Sequence, residues 1–140
     1  MEVYESDGPQ ATEALGAELA ARLSAGDVVY VRGELGAGKT TLVRGACRAL
    51  GVSGPVTSPT FAIAHRYNAA GGLVVAHVDL YRLGGLEGED PDLLGDYLGE
   101  DRITFVEWPP ERPAAVGAPP LITVELSHLE GDRRRVAVRA

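Results

Sequence analysis

The sequence predicts a three-layer α/β domain with a central mixed, mostly parallel sheet. Short apolar runs that read as buried strands alternate with stretches of helical periodicity. A glycine-rich octapeptide stands where one such strand passes into a helix. Two further runs, "FAIAHRY" and "LVVAHVD", flank the turn-forming "NAAGG" and read as an antiparallel hairpin, which makes the sheet mixed. The length of 140 residues corresponds to about one domain, so residues 1–140 are read as a single unit.

The elements follow in order. Glu2 to Tyr4 reads as a short strand. "PQATEALGAELAARLSAG" reads as a helix, with Pro9 suited to its first turn, Leu15, Leu19 and Leu23 at spacing four, and Gly26 as the stop signal. "DVVYVRG" is a buried strand. "KTTLVRGACRAL" is helical, with Leu42, Ala46, Ala49 and Leu50 assigned to one face and Gly51 closing it. "GVSGPVTSPT" is a hydroxyl-rich loop before the hairpin. The acidic "GGLEGEDPDLLGDYLGE" is expected to hold a short helix around Pro91 to Leu98. "ITFVE" is a buried strand ending in an acid, "WPPERPAAVGAPP" a surface connection, and "LITVELS" with "RRRVAVRA" a final hairpin around "EGD".

Bulk properties exclude several roles. A formal net charge of -7 argues against autonomous nucleic-acid binding, which needs a basic footprint to displace counterions. The single cysteine, Cys47, has no intramolecular partner for a disulfide and reads as a small buried hydrophobe. The N-terminus lacks signal-peptide character and no apolar run reaches membrane-spanning length, so a cytoplasmic location is expected.

Chemistry concentrates in Gly33 to Thr40, "GELGAGKT", a full G-x-x-x-x-G-K-[ST] match in the strand–helix setting the motif requires. This narrows the fold class to a P-loop NTPase. The backbone N–H groups around Gly36, Ala37 and Gly38 would wrap a phosphate, and the following helix would turn its positive end to it. Lys39 would reach the β- and γ-phosphates, the Thr40 hydroxyl would ligate Mg²⁺, and Thr41 would meet the α-phosphate. Lys39 is also the only lysine among 13 basic residues. In a chain that otherwise writes its cations as arginine, this position takes a compact point charge rather than a planar fork.

Such a site also needs a strand-end acid. Asp79 ends "LVVAHVD" and Glu107 ends "ITFVE", and spacing alone does not divide the roles between them. Thr57, Ser58 and Thr60 in "TSPTF" lie where a γ-phosphate sensor would be, although a Ser/Thr/Pro segment is also an ordinary loop. His65, His77 and His128 lack metal-ligand spacing and read as structural, with His77 expected to point away from the surroundings of Asp79. Arg133 to Arg135 read as a solvated strand edge. No N/T-K-x-D motif is available, since the sole lysine lies in the glycine-rich loop, which argues against a GTPase. The only glutamine is Gln10, so no glutamine is placed to orient a hydrolytic water, and slow turnover by the isolated chain is expected.

Four stretches together, "GELGAGKTT", "SPTF", "HVDLYRL" and "VEWP", resemble the TsaE (YjeE) family in order and approximate spacing, over about Asp27 to Pro109. The resemblance implies an Mg²⁺-dependent ATPase required for the threonylcarbamoyladenosine modification of tRNA. It implies TsaB and TsaD as partners, with ATP hydrolysis resetting their complex and tRNA met only through them. Residue by residue, it implies Gly36 to Thr41 as the phosphate cradle and Thr40 with Glu107 as Mg²⁺ ligands. Thr60 would be the switch residue, Asp79 a second acid near metal or water, and Trp108 the tryptophan beside the nucleotide. Pro9 to Thr12 would lie near the adenine. The alternative reading is a small P-loop kinase that phosphorylates a metabolite or protein, although no Arg-rich lid or acceptor-binding segment stands out.

Overall fold

A computed structural model describes residues 1–57, 64–80, 98–109 and 120–140. Seven strands and two α-helices appear among them: β1 (Glu2–Ser6), α1 (Pro9–Ala20), β2 (Val28–Gly33), α2 (Lys39–Ala49), β3 (Ala64–Asn68), β4 (Val74–Asp79), β5 (Arg102–Glu107), β6 (Ile122–His128) and β7 (Arg134–Arg139). A short 3-10 turn at Ala70–Gly72 joins β3 to β4. The strands form one sheet in the order β1-β7-β6-β2-β5-β4-β3. Its centre, β6-β2-β5-β4, is parallel, and the β3–β4, β6–β7 and β1–β7 pairings are antiparallel. The mixed, mostly parallel-centred sheet read from the sequence is the one observed.

The pleat divides the core in two. Val29 and Val31 of β2, Ile103 and Phe105 of β5 and Val124 and Leu126 of β6 face α1 and α2. Val28, Tyr30, Val78 and Val106 form a smaller cluster on the opposite face with Leu80 and Leu98. Both described α-helices lie on the first face. The helix expected around Pro91 to Leu98 lies outside the described residues except for Leu98 itself.

The two helices pack at glycine contacts. A Cβ added to Gly16 would stand 2.1 Å from the Leu42 carbonyl oxygen, and one added to Gly45 would stand 2.0 Å from that of Glu13. Only glycine permits this approach, and it brings the middle of α1 against the middle of α2. Arg44 and Arg48 of α2 reinforce it by pairing with Glu13 of α1 at 3.6 and 3.2 Å.

Three readings of local structure need correction. Helix α1 stops at Ala20 rather than running to Gly26, because Arg22 and Leu23 donate to Leu19 and Ala20 in tighter three-residue turns. Gly26, at φ 99°, then donates to the Arg102 carbonyl and starts the chain toward β2. On α2, Ala49 is exposed, and the buried stripe instead runs through Lys39, Leu42, Val43, Ala46 and Cys47. Arg133 and Arg135 are exposed as expected, but Arg134 and Arg135 do not form a sheet edge, since β1 pairs with β7 from Arg134 to Val138.

Candidate functional site

The site forms at the C-terminal ends of the parallel strands, where an open α/β sheet offers a crevice. Strand β2 ends at Gly33 and the chain turns through Glu34 to Gly38 into α2. Gly36 and Gly38 take positive φ angles of 75° and 99°, in the left-handed region that favours glycine. The Ala37 side chain is fully buried beneath the loop. A cleft of about 280 Å³ opens above it, lined by Leu35, Gly36, Gly38, Lys39, Thr40, Thr41, Asp79, Glu107 and Trp108.

Lys39 is buried at the floor of this cleft. Its ammonium donates to the Gly33 carbonyl at 2.7 Å and to the Glu34 carbonyl at 2.9 Å, so the side chain folds back and closes the loop. It also lies 4.4 Å from the centre of the Trp108 ring, within cation–π range. Desolvation lowers its pKa from the ordinary lysine value, while the charges of Glu107 and Asp79 pull it back up. Trp108 has φ 55°, a left-handed conformation costly for a bulky side chain and characteristic of functional sites.

The register of the sheet supplies the acids. Strands β4 and β5 run parallel with Asp79 opposite Glu107, and β2 places Val31 opposite Glu107 on its other side. The two acids therefore stand side by side, next to the strand that feeds the glycine-rich loop. Glu107 is 2% exposed, and its carboxylate oxygens accept from the Thr40 hydroxyl at 3.1 and 3.3 Å, across 67 residues of sequence. Thr40 and Glu107, drawn from different elements, thus meet directly.

His77 is the residue that sequence reasoning missed. It is fully buried, and its Nε2 contacts the Glu107 Oε2. Its Nδ1 has no hydrogen-bond partner among the described residues, which assigns the ring proton to Nε2, donating to the carboxylate. The expectation that His77 points away from the surroundings of Asp79 is wrong. Side chains on a strand repeat every two residues, so His77 and Asp79 share a face of β4. That periodicity, applied to "HVD", was the signal available in the sequence.

The structure thus gathers Gly36, Gly38, Lys39, Thr40, Thr41, Asp79, Glu107 and Trp108 around one cleft. Thr12 lies at its edge: its hydroxyl bonds to Ser6 Oγ at 2.6 Å, and its methyl would be 3.7 Å from a Cβ placed on Gly38. Pro9 is exposed at the first turn of α1 and does not line the cleft. Ser58 and Thr60 lie outside the described residues.

The oxygen-rich donor set suits Mg²⁺, which is held by one or two carboxylates and completes its shell with phosphates and water. Among the described residues no group of three or more His, Cys, Asp or Glu could hold a metal ion. Nor is any described helix long and apolar enough to cross a membrane.

Comparison with known proteins identifies the family. The family model described as threonylcarbamoyl adenosine biosynthesis protein TsaE matches residues 6–136. The chain belongs to the TsaE family. The TsaE of Streptomyces coelicolor is 53% identical over 95 residues, covering 67% of this chain and 64% of that protein. The Synechocystis TsaE is 44% identical over 106 residues, covering 74% and 67%, and the Bacillus subtilis TsaE is 42% identical over 101 residues, covering 71% and 61%. All three carry the name tRNA threonylcarbamoyladenosine biosynthesis protein. The match thus spans about two thirds of the length of these family members. The crystal structure of Bacillus subtilis YdiB superimposes with a TM-score of 0.71 at 28% identity, over 96% of this chain and 82% of that one. Family membership and fold rest on these matches.

Proposed function

We propose that this chain is an Mg²⁺-dependent ATPase of tRNA threonylcarbamoyladenosine biosynthesis. In this reading it binds and hydrolyses ATP to reset the TsaB–TsaD complex. The observation that carries the reading is the meeting of Thr40 and Glu107 at the mouth of the glycine-rich loop, with Asp79 beside them. A phosphate loop without a strand-end acid would bind anions; the acid paired with the hydroxyl adds what phosphoryl transfer requires.

The residues divide the work as follows. The backbone N–H groups of Gly36 to Thr41 and the start of α2 cradle the phosphates. Lys39, already desolvated and near both acids, moves its charge from the loop carbonyls onto the phosphate oxygens. Thr40 and Glu107 would hold Mg²⁺, which when bound supplies positive charge against the phosphates. His77 fixes the Glu107 carboxylate from behind, as an outer partner does for a metal ligand. Asp79 stands beside Glu107 in the sheet register, and in this reading it accepts a hydrogen bond from the attacking water. Thr60 is assigned the γ-phosphate switch by the family resemblance alone. The acidic charge suits a protein that meets tRNA only through its partners.

The test is ATP turnover by the chain alone and with the TsaB–TsaD pair. Free phosphate as product and stimulation by the pair support the proposal. Stoichiometric transfer of labelled phosphate to a metabolite or protein would replace it with the kinase reading. Depletion of the protein followed by mass spectrometry of tRNA nucleosides checks the biological half; unchanged threonylcarbamoyladenosine would overturn it.

A further inference from the structure

The hairpin of β6 and β7 reaches the glycine-rich loop from outside the cleft, at two adjacent peptide groups. His128 and Arg134 are register partners where the two strands meet the turn. The His128 Nε2 lies 3.3 Å from the Leu35 carbonyl oxygen, and the Arg134 Nη2 donates to the Gly36 carbonyl at 3.2 Å. Arg134 also donates through Nη1 to Gly131 at 3.0 Å and to Arg133 at 2.9 Å. Its guanidinium therefore bridges the carbonyls of the hairpin turn and that of the loop apex. The neighbouring Arg133 pairs instead with Glu5 at 2.6 Å and lies 3.9 Å from Asp7, which ties the same turn to the end of β1.

A trans peptide is planar, with its C=O and N–H pointing in opposite directions. Holding the Leu35 carbonyl toward the hairpin turns the Gly36 N–H away from it. Holding the Gly36 carbonyl likewise fixes the Gly36–Ala37 peptide, whose N–H donates to the Glu34 carbonyl at 3.1 Å and closes the turn of the loop. Gly36, at φ 75°, is the joint between these two peptides and resists rotation least. An anion cradle depends on inward N–H groups fixed beforehand, since ordering them on binding would cost affinity.

We infer that His128 and Arg134 form a clamp, as positioning residues, that presets the Leu35–Gly36 and Gly36–Ala37 peptides for a nucleotide's phosphates. This rests on the reading of the loop as a phosphate site and adds a second layer to it, contributed by a hairpin more than one strand away in sequence. Three of the hydrogen bonds of Arg134 end on carbonyls, so among the described residues no carboxylate neutralises its charge, which adds to the positive field at the loop.

The experiment measures binding of Mg²⁺–ATP by calorimetry for the full chain and for His128→Ala, Arg134→Ala, the double variant and Arg134→Lys. Amide spectra and thermal midpoints are recorded alongside. Each alanine variant should bind about threefold to tenfold more weakly, the effect of one hydrogen bond. The Gly36 and Ala37 amide resonances should move, the midpoint should hold, and Arg134→Lys should recover most of the affinity. Wild-type affinity in the double variant, with wild-type protein binding ATP normally, would overturn the clamp. So would a loss of affinity that follows a fallen midpoint and that lysine does not restore. Failure of the wild-type chain to bind ATP at all would sink the phosphate reading itself, and the clamp with it.

Discussion

On one wall of the cleft, residues 33 to 41 are consecutive, and their geometry follows from local chemistry: a strand end, two left-handed glycines and a helix start. On the other wall, Asp79, Glu107 and His77 come from two strands, and their meeting depends on the parallel register of β4 and β5. The first wall is thus a motif and the second a product of topology. Local geometry tolerates changes elsewhere in the fold, whereas a one-residue slip in register would turn every acid to the opposite face. The chemistry also differs: the first wall offers fixed donors, the second acceptors held by a buried histidine.

The largest expected effect falls on the first wall. Lys39→Arg should lower ATP hydrolysis at least about 100-fold, because a planar fork does not fit where a point charge makes two carbonyl contacts. Wild-type turnover in a steady-state assay would show that this wall works by charge alone. On the second wall, Glu107→Gln should cost Mg²⁺-dependent turnover about as much. His77→Leu should cost roughly tenfold, chiefly as a higher Mg²⁺ requirement, and His77→Gln, which keeps a donor, should restore most of it. If the leucine and glutamine variants behave alike in magnesium titrations, His77 fills space and does not orient Glu107.

A substitution between the helices tests how the first wall is supported. Gly45→Ala should destabilise the chain by about 1–3 kcal/mol in urea denaturation, because its methyl would meet the Glu13 backbone. The smallest effect concerns pH. Burial lowers the Lys39 pKa below 10.5, so between the lowered value and 10.5 the unfolded chain holds more protons than the folded one. Stability from this group therefore rises with pH across that window. Denaturation of wild type and Lys39→Met at several alkaline pH values should show the wild type gaining relative to the variant as pH increases. A difference independent of pH would mean that Lys39 is not desolvated by the fold.

The legibility of the molecule follows the same division. The strand–loop–helix around Lys39, both β-hairpins and the two strand-end acids are readable because each depends on neighbours in sequence. The errors arise where partners are distant. The leucine repeat continues to Leu23, but α1 closes at Ala20 in tight turns and the chain is then held by the bond from Gly26 to the distant Arg102. The exposure of Ala49 is set by where α1 crosses α2 at Gly16 and Gly45. Arg133 to Arg135 looked like an edge because nothing local says that β1, at the far end of the chain, pairs with β7.

By itself, the sequence determined that a glycine-rich loop with one lysine follows a buried strand, and that two later strands end in acids. Those features rest on backbone propensities and on side-chain period, which act over a few residues. Only the tertiary structure decided that Glu107, rather than Asp79, meets Thr40, that His77 stands behind it, and that His128 and Arg134 hold the loop. Those contacts join residues far apart along the chain, and the sheet order and register that bring them together are set by burial of the whole core.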